Sequence, residues 1–166
     1  MNRKVEEQFL KAYEEYAEAI YRHCYFRVFN KQRAEELMQD TFTKTWLYLS
    51  RGKKVDNLRA FLYRVAGNLV IDESRKNKMA SLEAWLEAGE GENDIPTEGH
   101  KDILRSAMAK EVVRAMDRLD KDDQEILTLR FVSDLDPKEI AIILGISPNN
   151  ASVKINRAVA ELRKIV

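Results

Sequence analysis

The stretch Asp136-Pro137-Lys138-Glu139-Ile140-Ala141-Ile142-Ile143-Leu144-Gly145-Ile146-Ser147-Pro148-Asn149-Asn150-Ala151-Ser152-Val153-Lys154 decides the fold. Twice within it a short polar residue precedes a proline. Asp136 and Ser147 can each accept a hydrogen bond from an orphan N–H at the start of a helix. Pro137 and Pro148 then fit the first helical position, where the missing N–H would have had no partner. Glu139 falls where the acid of a capping box belongs. Between the two starts, Gly145 permits the left-handed backbone of a tight turn, and Ile146 buries that turn. Two capped helices joined by Gly145-Ile146-Ser147 form a helix-turn-helix pattern. The small Ala141 lets the helices approach, and the spacing sets Ile140, Ala141 and Leu144 against Ala151, Ile155, Ala158, Val159 and Leu162. The second helix, running to about Lys164, keeps a polar face of Asn149, Asn150, Ser152, Lys154, Asn156 and Arg157. Short amides, hydroxyls and cations of this kind can reach base edges and phosphates in a major groove. The competing reading is an ordinary helical hairpin with a solvated face.

Upstream, apolar residues recur at three and four throughout, and no strand-like alternation competes. One helix carries Met108, Val112, Ala115, Met116 and Leu119. Another follows the capping aspartates of 120–123 and carries Ile126, Leu127 and Phe131. The N-terminal part predicts three helices. The first has Phe9, Tyr13, Tyr16, Ala17, Ile20, Tyr21 and Cys24. The second opens at Asn30 and has Ala34, Leu37, Met38, Thr41, Phe42, Thr45, Trp46 and Leu49. The third has Leu58, Phe61, Leu62, Val65, Ala66, Leu69 and Val70. Its opposite face sets Arg64, Asn68, Ile71 and Arg75 in one row, flanked by Arg59, Tyr63 and Asp72. The polar, basic loop Arg51–Asn57 precedes it. Cations, an amide, an aromatic and a flexible loop suit single-stranded or locally opened nucleic acid. From Gly89 to Gly99 the chain reads GEGENDIPTEG and loses all periodicity. The expectation is an all-α protein of two small helical domains: a three-helix domain over 1–78, a flexible acidic linker over 79–102, and a four-helix domain with the helix-turn-helix over 103–166. Leu82, Trp85 and Leu86 fall inside that linker and allow a short amphipathic helix.

The 166 residues carry 28 Lys+Arg and 28 Asp+Glu, a neutral total that at first argues against a nucleic-acid binder. Block by block the picture changes. Residues 51–78 are net +5 and residues 137–166 net +3. Residues 79–105 are net −5, residues 106–136 net −3, and residues 1–50 balance. Neutrality is a cancellation between two basic patches and an acidic stretch. A single cysteine excludes an internal disulfide and fits a reducing compartment. No apolar run approaches a membrane span, and the start lacks the apolar centre of a signal peptide, so a cytoplasmic protein without membrane insertion is expected. His23 and Cys24 are adjacent and point about 100° apart on a helix. With His100 isolated, they make no metal site. Cys24 reads as a small core residue. No catalytic triad, phosphate loop or paired-carboxylate site stands out, so neither an enzyme nor a cofactor is expected.

Certain words in the sequence carry a family resemblance. They are Ala34-Glu35-Glu36-Leu37-Met38-Gln39-Asp40-Thr41-Phe42, Trp46, Leu58-Arg59-Ala60-Phe61-Leu62-Tyr63-Arg64-Val65-Ala66-Gly67-Asn68, Asp72 and Arg75-Lys76. In the C-terminal part they are Leu119, Ile126-Leu127-Thr128-Leu129-Arg130-Phe131, Glu139-Ile140-Ala141, Leu144-Gly145-Ile146-Ser147 and Arg157-Ala158. In this order and spacing the chain resembles the extracytoplasmic-function group of sigma-70 family sigma factors, whose sigma-2 and sigma-4 domains are joined by a linker. The resemblance implies a subunit that binds core RNA polymerase, directs it to promoters and helps melt the minus-10 region. Glu36, Gln39, Asp40, Thr43 and Lys44 would dock on the clamp coiled coil of the largest core subunit, and the sigma-4 part on the flap. Lys53, Lys54, Val55, Asp56, Asn57, Arg64, Asn68 and Arg75 would read the minus-10 element and hold a flipped base. Asn149, Asn150, Ser152, Lys154, Asn156 and Arg157 would lie in the major groove of the minus-35 element. An anti-sigma factor is a further implied partner. The recognition helix departs from the family pattern at Asn149-Asn150, Ala151, Ser152 and Val153, so the minus-35 letters do not carry over. The alternative is a sigma-like switch that titrates an anti-sigma factor without touching DNA, which needs neither the basic 51–78 block nor the polar helix face. A dimeric repressor would leave the Gln39-Asp40 surface unexplained.

Overall fold

The structure is a computed structural model and describes residues 3–73, 75–88 and 107–166, without the side chains of 107–109. Eight α-helices follow one another among these residues: α1 Arg3–Val28, α2 Lys31–Ser50, α3 Leu58–Ile71, α4 Arg75–Glu87, α5 Ala107–Asp117, α6 Lys121–Leu127, α7 Pro137–Leu144 and α8 Pro148–Ile165. None is long and apolar enough to cross a membrane. A π-helical turn, Thr128–Val132, continues α6.

Local chemistry sets the helix starts. Asn30 accepts from the Arg33 N–H at 2.8 Å and Asn57 from the Ala60 N–H at 2.9 Å. Asp120 accepts from the Asp123 N–H at 2.8 Å. Asp136 accepts from the Glu139 N–H while the Glu139 carboxylate accepts from the Asp136 N–H, completing the capping box that the sequence predicts. Ser147 accepts from the Asn150 N–H at 3.1 Å. Gly145 stands at φ +68°, in the left-handed region, and ends α7.

Helices α1, α2 and α3 form the N-terminal unit. Ile20, Cys24, Ala34, Leu37, Phe42, Leu62, Ala66 and Val70 fill its core. Arg33 of α2 ties that helix to the end of α3, donating to both oxygens of Glu73. In the C-terminal unit Leu127, Leu129, Ile140, Ala151 and Ala158 pack together, with Ala141 between α7 and α8.

The expected linker begins later than residue 79. Helix α4 runs through to Glu87 and buries Leu82 and Trp85. Trp85 stacks on Phe29 at 5.0 Å between ring centroids, so this segment tucks against the end of α1. The rest of the expected linker, 89–102, lies outside the described residues. Three further expectations change. Helix α3 ends at Ile71, so Arg75 opens α4 instead of extending the Arg64–Asn68 row. Phe131 is exposed, because the π turn adds a residue and rotates the following side chains by about 100°. Ile143, not Leu144, is the buried residue near the end of α7.

Candidate nucleic-acid interface

The second helix of the helix-turn-helix presents its polar face as expected. Asn149, Asn150, Lys154, Asn156 and Arg157 are exposed and Ser152 is half-buried, while Ala151, Ile155 and Ala158 of the same helix are buried. The cap at Ser147 and the proline after it fix where this face begins. Of the second constellation, Lys53, Lys54, Asp56, Asn57, Arg64, Asn68 and Arg75 are exposed and Val55 is half-buried. Lys53 lies over the Tyr48 ring, 5.0 Å from its centroid, and Tyr48 stacks on Phe61 at 4.8 Å. These contacts give the basic loop a firm base. The side-chain oxygen of Asn57 is engaged in capping α3 and is not free to read a base. Tyr63 is 1% exposed and meets His23 edge-on at 5.6 Å, so it is no stacking platform.

Glu36, Gln39, Asp40, Thr43 and Lys44 share the outer face of α2, and all are exposed. Glu36 accepts from Arg33 at 2.9 Å. Beside them, Phe9, Leu10, Tyr13, Phe42, Thr43 and Trp46 line an open groove of 720 Å³ between α1 and α2. This apolar groove, with Leu10 60% exposed, had a sequence signal: two aromatic stripes on neighbouring helices, more than one core can bury.

Two residues of each surface meet in one cleft, beside Asp120, Asp122 and Asp123. Arg64 and Asn68 of α3 line the same 530 Å³ cleft as Lys154 and Arg157 of α8. Within it Arg64 donates to the backbone carbonyls of Ile142 and Ile143, both at 2.9 Å. Those are terminal carbonyls of α7, where a cation is favoured. Arg75 pairs with Asp117 at 3.7 Å, and Arg59 with Glu139 at 2.6 Å. Beneath the cleft lies a buried charged cluster that the sequence did not reveal. The Glu125 carboxylate accepts from Arg27 and lies 2.9 Å from His23 Nε2. Burial pushes the Glu125 carboxyl up, but His23 and Arg27 outweigh it and hold the group below the ordinary carboxylate value. Close by, burial lowers Lys78 to about 8, with Arg27 and Lys121 acting in the same direction. Lys78 donates to the Val70 carbonyl at 2.6 Å, and Lys121 to the Ile71 carbonyl at 3.0 Å.

Comparison with known proteins identifies the family of the two units. Residues 12–79 match the family model for sigma-70 region 2, and residues 109–162 that for sigma-70 region 4. The chain is 29% identical over 168 aligned positions to the ECF RNA polymerase sigma factor BldN of Streptomyces coelicolor, covering 95% of this chain and 60% of that protein. Its fold resembles that of CnrH of Cupriavidus metallidurans, solved with the cytosolic domain of CnrY (TM-score 0.66, 21% identity, 96% of this chain and 87% of that one). It also resembles the sigma factor RpoE of Bartonella quintana, solved with the anti-sigma factor NepR (TM-score 0.63, 20% identity, 96% of each chain). With region 2 and region 4 matched in order across most of its length, the chain belongs to the extracytoplasmic-function group of the sigma-70 family of RNA polymerase sigma factors.

Proposed function

We propose that this chain is a promoter-specificity subunit: it binds core RNA polymerase in the cytoplasm, brings it to promoters with two sequence elements, and helps open the downstream one. The observation that carries the reading is the capped helix-turn-helix, whose second helix keeps Asn149, Asn150, Lys154, Asn156 and Arg157 in solvent while burying Ala151, Ile155 and Ala158. That pattern suits the major groove of a minus-35 element. Arg64 and Asn68, with the Lys53-Lys54 loop, supply cations and an amide for the minus-10 element and a base unstacked from it. Arg75 adds a phosphate partner from the start of α4. The exposed outer face of α2, from Glu36 to Lys44, with the neighbouring apolar groove, suits docking on the clamp coiled coil of core. The sigma-4 part would meet the flap.

An anti-sigma factor is part of the reading. It is supported by the structural likeness to a sigma factor solved with the anti-sigma factor NepR. The chain's neutral total fits weak binding of free DNA. Specificity then arises when core holds both units at promoter spacing, which raises the effective concentration of each for its element. The test is transcription by purified core, with and without the chain, from a library of promoter fragments.

A further inference from the structure

A cavity of 70 Å³ lies where α1, α4, α5 and the π turn meet. Most of its wall is apolar: Phe26, Leu82, Val113, Met116 and Val132. Two cations also line it, Arg27 of α1 and Lys78 of α4. Arg27 is 6% exposed and gives Nη1 to Glu125, yet its Nε and Nη2 are buried without a hydrogen-bond partner among the described residues. Burying a charged donor unmet is costly, so native structures ordinarily supply it a partner. Lys78 donates to a neutral group, the Val70 carbonyl, and no carboxylate among the described residues stands within salt-bridge distance of it. Burial disfavours its charged form, Arg27 and Lys121 add to that, and Glu73 and Glu125 offset them only in part. The other polar groups on the wall are engaged. Gln124 donates to the Asp117 and Leu119 carbonyls, Thr128 to the Gln124 carbonyl, and the Asp117 carboxylate pairs with Arg75. Glu125 is already shared between Arg27 and His23. The cavity holds open cationic donors and lacks a free negative charge.

We infer that this cavity is a binding site for one small monovalent inorganic anion of the chloride class, held between the Arg27 guanidinium and the Lys78 ammonium. The volume exceeds several-fold the ~10–15 Å³ that admits one water, so a halide fits with little retained hydration. Phosphate and sulfate are disfavoured: they are bulkier, and a second charge against the apolar wall would have no further donor to meet it. Water alone can accept from Arg27 but leaves the repulsion between Arg27 and Lys78 in place, whereas an anion answers both. The bound anion joins α4 to α1 from within, and the stability of the fold becomes dependent on it. Neither cation belongs to the surfaces assigned to DNA or core, so the site stands independently of the promoter reading.

The test uses the full chain in sodium chloride and in sodium gluconate at equal ionic strength, near neutral pH, so that screening is matched. The wild-type thermal midpoint should be higher in chloride. At a chloride concentration a hundred times the dissociation constant, the folding equilibrium should shift about 100-fold. Lys78→Met and Arg27→Met should lose the difference between the salts, while non-specific salt effects act on them as on the wild type. Chlorine NMR reads binding directly: the wild type should broaden the chloride line several-fold more than Lys78→Met, and bromide should compete. Bromide-soaked crystals should show an anomalous peak between Arg27 and Lys78. If Arg27→Met does not fold, Lys78→Met and the wild-type line width still decide. A cavity holding water and no anomalous peak overturns the site. Equal broadening by wild type and Lys78→Met puts the chloride elsewhere and overturns it too. A bromide peak in the cavity with the same midpoint in both salts marks an adventitious ion only, and the inference falls with it.

Discussion

His23 and Glu125 are 102 residues apart in the chain, yet His23 Nε2 and Glu125 Oε1 lie 2.9 Å apart in the interior. This pair, with Arg27, joins the first helix of the region that matches sigma-70 region 2 to α6 of the region that matches region 4. It makes the junction sensitive to acid. The Glu125 carboxyl is held below its ordinary value of 4.5, so its contribution is in place above that value and is lost as pH falls through the depressed one. His23 and Arg27 face it from α1, Ser133 lies 3.4 Å from the other His23 nitrogen, and Lys78 adds positive charge from α4. The wild-type thermal midpoint should therefore fall more steeply below about pH 4.5 than that of Glu125→Gln. Parallel acid limbs would show that the carboxylate is not held in this way.

Lys78 acts in the same direction at higher pH, but as a cation whose charged form is disfavoured. Its value is lowered from 10.5 to about 8, so between those values the unfolded chain binds more protons than the folded one. Stability should rise as pH increases from about 8 toward 10.5. Lys78→Met should flatten that rise while leaving the acid limb unchanged. Denaturant midpoints measured across this range for both proteins check it. Equal slopes would mean that Lys78 is no less readily protonated when folded.

The turn of the helix-turn-helix is set by two residues. Ser147→Ala removes the side-chain acceptor for the Asn150 N–H and should cost about 1 kcal/mol in urea unfolding. Gly145→Ala leaves the space unfilled but puts a Cβ on a backbone at φ +68°, and should cost about 1–2 kcal/mol. A Gly145→Asn variant should lose less, since asparagine tolerates that region. Equal losses for Ala and Asn would show that backbone conformation is not what selects glycine here.

Those same residues show how much was legible in advance. Asn30, Asp120, Asp136 and Ser147 announce helix starts because capping acts within three residues, and all four accept the expected bond, while Asn57, read only as part of the basic loop, caps α3 in the same way. The polar face of α8 was legible for the same reason: periodicity records which side is wet. Long-range pairings leave no such trace. Nothing near His23 or Gly67 points to Glu125, since the three meet only after two units pack. Tyr63 was read as a stacking platform because a tyrosine looks alike in a core and on a surface. Phe131 was placed inside because periodicity cannot foresee a π turn.

Within the candidate DNA surfaces, two substitutions should separate. Arg157→Ala should weaken initiation most where the upstream element dominates, and little where it is dispensable. Asn68→Ala should leave closed binding nearly intact and reduce strand opening, read as permanganate reactivity of minus-10 thymines. Loss of a base contact of this kind costs about 1–3 kcal/mol, or roughly 5- to 160-fold. Equal effects of both substitutions on both steps would contradict the assignment of one element to each face.

The most direct measurement is multi-round transcription by purified core polymerase over the promoter-fragment library, sequencing the transcripts made with and without this chain. The account predicts a small enriched set of start sites sharing two upstream elements at fixed spacing, with enrichment that disappears for Asn68→Ala and Arg157→Ala combined. The same start sites with and without the chain, or an enriched set that the double substitution leaves untouched, would contradict it.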